Sequence, residues 1–172
     1  ETSNTPIVVD ATNFEANAAA HVLEKLLAPL SGSLQEMPKV LPAGVLLPKR
    51  AQRVLFICTH GCFLQIDVME RLLKASDNAL QLLPIIADDE FRVPSRETIA
   101  PLPLTRLGPG RDGRPRNMEE VIGVILGLFQ EIAVFLRANS ATATVLDATV
   151  NSMGRRLRRR RGRALRRGGM SR

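Results

Sequence analysis

Short, nearly continuous apolar runs alternate along this chain with longer stretches whose apolar positions recur every three or four residues. Pro6-Ile7-Val8-Val9-Asp10-Ala11 is the first run and reads as a buried strand. Asn13 then stands where a helix N-cap belongs. Phe14, Ala18, Val22, Leu23, Leu26, Leu27 and Leu30 repeat at helical spacing, and Pro29 with Gly32 closes the segment. Ser33 to Met37 reads as a brief strand, while Pro38, Pro42, Gly44 and Pro48 make the remainder up to residue 52 loop-like. Arg53-Val54-Leu55-Phe56-Ile57-Cys58-Thr59 is apolar at successive positions, so this strand is expected to be covered on both faces. Residues 64–76 follow as a helix with Leu64, Val68, Leu72 and Ala75 on one side. Leu80 to Ile86 is another buried strand. Strand, helix and strand within roughly 35 residues form a crossover unit, which makes the sheet parallel.

Beyond residue 90 the pattern changes. Residues 91–116 hold five Pro, three Gly and six Arg and read as a long surface loop. Asn117 and Glu120 have the spacing of a capping box, with a helix following to about Gln130. Ile132 to Leu136 either extends that helix or forms a last strand; periodicity alone does not choose. A final helical pattern begins at Thr144-x-x-Asp147, with Leu146, Val150, Met153 and Leu157 in phase. The sum is a three-layer α/β domain over residues 1–153, a parallel sheet of about four or five strands between helices. An Arg-rich extension, residues 154–172, follows as a continued helix or a disordered tail.

Composition sharpens this. A chain of 172 residues suits one domain. Its net charge of +7 is unevenly placed, because ten of the 24 basic residues are arginines between Arg155 and Arg172. The other 14 face 17 acidic residues, so residues 1–154 carry −3. With no Trp, no Tyr and six Phe, the chain is poorly equipped to stack single-stranded bases. Two cysteines do not make a disulfide scaffold. No apolar run reaches the roughly 18 residues of a membrane span; the longest, Val121 to Leu136, is interrupted by Gln130 and Glu131. The chain begins at Glu1, without Met or a charged-then-apolar leader, and is expected to be a fragment or processed form. An intracellular, chiefly cytoplasmic location is the expectation, with nucleus and organelles left open.

Several groupings invite a chemical reading. Gly108-Pro-Gly110-Arg-Asp-Gly113 matches G-x-G-x-x-G, but no strand precedes it and the next helix opens later, so it is expected to be a loop. Cys58, His60 and Cys62 supply three metal-ligating side chains where zinc needs four, and Cys58 reads as a small buried apolar residue. No metal is expected. There is no nucleophile elbow, no phosphate-binding P-loop and no H-E-x-x-H. Asp88-Asp89-Glu90 falls at the carboxyl end of a strand, the edge where parallel sheets bind ligands, yet solvated acidic loops are common. Arg92 and Arg96 are the nearest cations in sequence. Glu70 lies near the start of the helix after the central strand. A lone carboxylate there can hydrogen-bond a ribose or stabilise an oxocarbenium-like centre; alternatively it pairs with Lys74 on a solvated helix face. The tail arginines Arg155, Arg156, Arg158, Arg159, Arg160, Arg161, Arg163, Arg166 and Arg167 suit nucleic acid or an anionic membrane surface, bound through charge alone.

Residues 6–90 resemble a TIR domain, the flavodoxin-like module of immune receptors and NAD-cleaving axon-degeneration factors. The likeness rests on the first strand and helix, on Leu41-Pro42-Ala43-Gly44, on Val54-Leu-Phe-Ile-Cys-Thr-His-Gly61, on Glu70-Arg-Leu-Leu-Lys-Ala and on Leu82-Leu-Pro84-Ile85-Ile86. It implies a fifth strand at Ile132–Leu136, a last helix over residues 140–160, and extends over most of residues 1–153. It implies a signalling or scaffold role through self-association or contact with other TIR domains, with Leu41, Pro42, Ala43 and Gly44 as the interaction loop. No cofactor is required on this reading. NAD+ is implied as a substrate, with Glu70 as the hydrolytic glutamate and Ala11, Thr12, Asn13, His60 and Gly61 lining the nucleotide site. The chain departs from the family at Ile66-Asp-Val-Met69, where Trp-Cys is frequent, and in a first loop without the usual Ser/Tyr and Arg. The family's acidic residue near the second strand has only Glu36 as a counterpart.

Overall fold

Residues 4–30, 37–130, 133–136 and 142–159 are described in a computed structural model of the chain. Their strands are β1 (Pro6–Val8), β2 (Lys39–Val40), β3 (Arg53–Cys58), β4 (Gln81–Ile86) and β5 (Val134–Phe135). The helices are α1 (Phe14–Leu27), α2 (Ile66–Asp77), the single turn α3 (Arg96–Ile99), α4 (Met118–Leu128) and α5 (Ala143–Arg159). All strands run parallel in the order β2-β1-β3-β4-β5, the flavodoxin-like arrangement. The chain reverses its direction of winding between β1 and β3, so their carboxyl ends flank the crevice of the fold.

Period-two alternation divides the strand residues between two cores. Val8, Val54, Phe56 and Cys58 face α2 and α4. Ile7, Val9, Leu55, Ile57, Leu83 and Ile85 face α1 and α5. Both faces are therefore covered, as the unbroken apolar strands require. Pro84 stands opposite Phe56 on β4 but below the point where β5 joins, at Ile85 and Ile86. Its missing N–H thus costs no ladder bond on the β5 side.

Several expectations are corrected. The second strand falls at Lys39–Val40, in the stretch read as loop; residues 33–36 lie outside the described residues. In α1 the buried residues are Ala16, Ala19, Ala20, Leu23 and Leu27, while Phe14 is 86% exposed. The alanines let the helix lie close to the sheet, and this outweighs the larger side chains at Phe14 and Val22. Leu64 belongs to a 3-10 turn before α2 and is partly exposed. Residues 91–116 are not a plain surface loop, because Phe91, Ile99, Leu102, Leu107 and Arg116 are buried and α3 lies among them. The Asn117 cap is made, its Oδ1 accepting from Glu120 N at 2.8 Å, but the Glu120 carboxylate turns to Arg116 instead of completing a capping box. As expected, a fifth strand forms, at Val134–Phe135, and the last helix, α5, spans Ala143–Arg159.

Candidate functional site at the carboxyl edge of the sheet

Three turns meet beyond the carboxyl ends of β1, β3 and β4. In the first, buried Asp10 accepts the Thr12 N–H at 2.9 Å and the Thr12 hydroxyl at 2.6 Å, both on Oδ1. Asn13 caps α1, its side-chain oxygen accepting from Ala16 N at 3.0 Å. Ala11 and Thr12 are exposed. The polar groups of this expected nucleotide loop are thus engaged in shaping the loop itself.

In the second turn Gly61 has φ +75°, a left-handed conformation that favours glycine and starts the 3-10 turn Cys62–Leu64. His60 N–H donates to Asp88 Oδ2 at 3.0 Å, and Glu90 N–H donates to Asp88 Oδ1 at 2.8 Å. Asp88 therefore ties the β3 and β4 turns together. The His60 N–H above all holds its carboxyl below the usual range, against the opposing effect of burial. Arg92 donates to the carbonyls of Asp89 and Phe91, and Arg96 pairs with Glu119 at 2.5 Å. The acidic run is tethered rather than freely solvated at Asp88, while Asp89 and Glu90 are exposed.

Between the β3 and β4 turns lies a cavity of about 210 Å³ lined by His60, Gly61, Phe63, Glu90, Phe91 and Arg92 among others. Its floor belongs to a cluster of four rings. Phe63 stacks on Phe56 at 6.0 Å and meets Phe91 and Phe129 at 6.2 and 6.1 Å. Neither Ala11–Asn13 nor Glu70 lines this cavity. Glu70 is exposed on α2, and among the described residues it has no ion-pair partner, Lys74 included. His60 and Gly61 are thus brought together, and the other residues of the expected nucleotide site do not share their cavity.

Cys58 and Cys62 are fully buried and free. Burial pushes the Cys62 thiol up to about 12 and raises Cys58 well above its ordinary value, so neither offers a thiolate. Among the described residues no group of three or more His, Cys, Asp or Glu is arranged to hold a metal.

The expected interaction loop is held from beneath by a residue that sequence reading passed over. Arg71 of α2 is buried, donates to the Pro42 carbonyl at 2.6 Å and pairs with Asp67 at 3.0 Å. Its Nε and Nη1 atoms are buried without partners. Burial lowers its pKa, and Asp67 opposes the shift. Asp67 and Arg71 are four residues apart, a spacing that signals a helix pair but not that one member is inward. Past the anchored carbonyl, Gly44 takes φ +72°, and Val45 and Leu46 are 40% and 82% exposed. Of the tail arginines, Arg155 and Arg156 lie in α5 with Arg155 exposed, while residues 160–172 lie outside the described residues, as does Glu36. Among the described residues no helix is long and apolar enough to cross a membrane.

No family model matches the chain, and no curated protein matches it significantly.

Proposed function

We propose that this chain is a protein-association module of the TIR type, acting by contact between copies of itself. The observation that carries the reading is the loop after β2. A buried arginine fixes its Pro42 carbonyl, so the loop presents Leu46 to solvent in a defined position. An exposed leucine on an anchored loop gives the kind of preordered apolar contact that association favours. A second exposed apolar residue, Phe135 at 60%, stands on β5. The loop departs from one border strand of the sheet and Phe135 stands on the other. Two different patches on one molecule favour head-to-tail contact, which builds rings or filaments rather than closed two-fold dimers. Sedimentation velocity over a concentration series tests this. Association that grows with concentration and is lost in Leu46→Glu supports the reading; a wild-type chain that stays monomeric at high concentration removes it.

Hydrolysis of NAD+ at Glu70 draws less support. The cavity beside His60 is below the roughly 300 Å³ at which small-molecule sites begin, and Glu70 is outside it. Nicotinamide release by the wild-type chain that disappears in Glu70→Ala, with the fold intact, would reverse this order.

A further inference from the structure

The opposite end of the sheet carries a larger cleft, about 470 Å³, between the C-terminal end of α2 and the Pro109–Arg111 loop. We propose that it binds a compact, multiply charged phosphate compound, gripped between Lys74 and Arg111.

The walls are built rather than incidental. Arg116 is buried beneath the loop and donates to the carbonyls of Gly108 at 3.2 Å and Pro109 at 3.5 Å. The same guanidinium reaches Asp77 at 2.5 Å and pairs with Glu120. It thereby fastens the loop to α2 and α4 together. Within the loop Gly110 N–H donates to the Arg114 carbonyl at 2.9 Å, and Gly113 N–H donates back to Gly110 at 3.0 Å. The loop is closed on itself, so the cleft exists before a ligand arrives, which lowers the ordering cost of binding.

The charges favour an anion. Lys74 and Arg111 are exposed on facing walls, and among the described residues neither has an ion-pair partner. Asp77 is the one carboxylate in the lining, and Arg116 already holds it. A helix C-terminus ordinarily repels anions through its free carbonyls. Here three of the last four are taken: Asn78 N–H donates to Lys74 O, Ala79 N–H to Ser76 O and Leu80 N–H to Ala75 O. Asn78 adds a side-chain amide to the lining.

The same lining narrows the ligand class. It contains no aromatic ring and no long aliphatic side chain. A purine would find no aromatic ring to stack on, and an acyl chain no apolar wall to bury against. What remains is a small polar body with clustered phosphoryl groups, for which lysine and arginine are the fitting donors.

The test is an amide chemical-shift titration of the full chain with sodium tripolyphosphate at about 0.15 M salt, where exposed long-range attraction is screened. Saturating shifts are expected at Asn78, Ala79, Gly110 and Arg111. The K74Q/R111Q variant is expected to bind at least roughly tenfold more weakly, as loss of two charge-assisted contacts implies, with the rest of its spectrum unchanged. Arg111→Gln alone lies in an exposed loop and gives a smaller loss of the same sign, which covers a double variant that fails to fold. Shifts confined to residues 155–172, or unchanged affinity in these variants, would overturn the proposal.

Discussion

Replacing Ala79 with glycine is expected to stabilise the fold. Helix α2 ends in two bonds that define a Schellman cap, Leu80 N–H to Ala75 O and Ala79 N–H to Ser76 O, both 2.9 Å. The cap needs one residue in the left-handed region, and Ala79 occupies it with φ +52°, alone among the described non-glycine residues. A side chain there costs about 1–2 kcal/mol, because its Cβ crowds the following carbonyl. Glycine removes that crowding but has more freedom to lose on folding, worth about 0.4–1 kcal/mol in the other direction. The net gain is roughly 0.5–1 kcal/mol, or about 1–4 °C in melting temperature for a chain of this size. With no Trp or Tyr to report, far-UV circular dichroism through a urea titration is the suitable readout. Ala18→Gly, exposed and in the middle of α1, is the matched control. It loses helix propensity with no strain to relieve, so a destabilisation of about 0.8–1 kcal/mol is expected. If Ala79→Gly destabilises as the control does, the left-handed cap is not the conformation in solution and the reasoning fails. Glycine also leaves Lys74 and Arg111 in place, so tripolyphosphate binding should survive the substitution.

Two further outcomes follow from the buried polar groups. Arg116→Ala strands Asp77 and Glu120 and removes the loop's two carbonyl fastenings at Gly108 and Pro109 at once, and a loss of about 3 kcal/mol is expected, together with faster tryptic cleavage at Arg106 and Arg111; unchanged stability would show that the triad is not formed. Asp88 has a folded pKa below its unfolded value of about 3.9. Its contribution is therefore complete above that value and fades as pH falls through the lower folded value. Wild-type stability should decline more steeply on acidification than that of Asp88→Ala, and identical pH profiles would contradict the tether between the β3 and β4 turns.

The layout of the sheet was legible because long apolar runs on β3 and β4 leave no polar face to assign. The length and spacing of the intervening helix then fix the crossover. Short border strands were another matter. β2 pairs only Lys39 and Val40, with one residue exposed, and two residues carry no periodicity. In α1, large side chains mark a stripe that the structure leaves outside, because alanine signals burial weakly in sequence while packing best against a sheet. The buried arginines were hidden for a related reason. Arg71 and Arg116 each sit four residues from an acid, as surface pairs do, and only tertiary contacts with Pro42, Gly108 and Asp77 reveal that they point inward. Of the site, the turn at His60 and Gly61 could be read from its place after a buried strand. The spending of Thr12 and Asn13 on their own loop could not, since capping and ligand binding draw on the same residue types.

The most direct test of head-to-tail association mixes two variants. Leu46→Glu and Phe135→Glu each lose one of the two apolar surfaces and keep the other. Sedimentation velocity should find each variant monomeric alone, while an equimolar mixture forms a dimer and stops there, because the surviving surfaces match only once. A mixture that stays monomeric, or either variant assembling alone as the wild type does, would contradict the account.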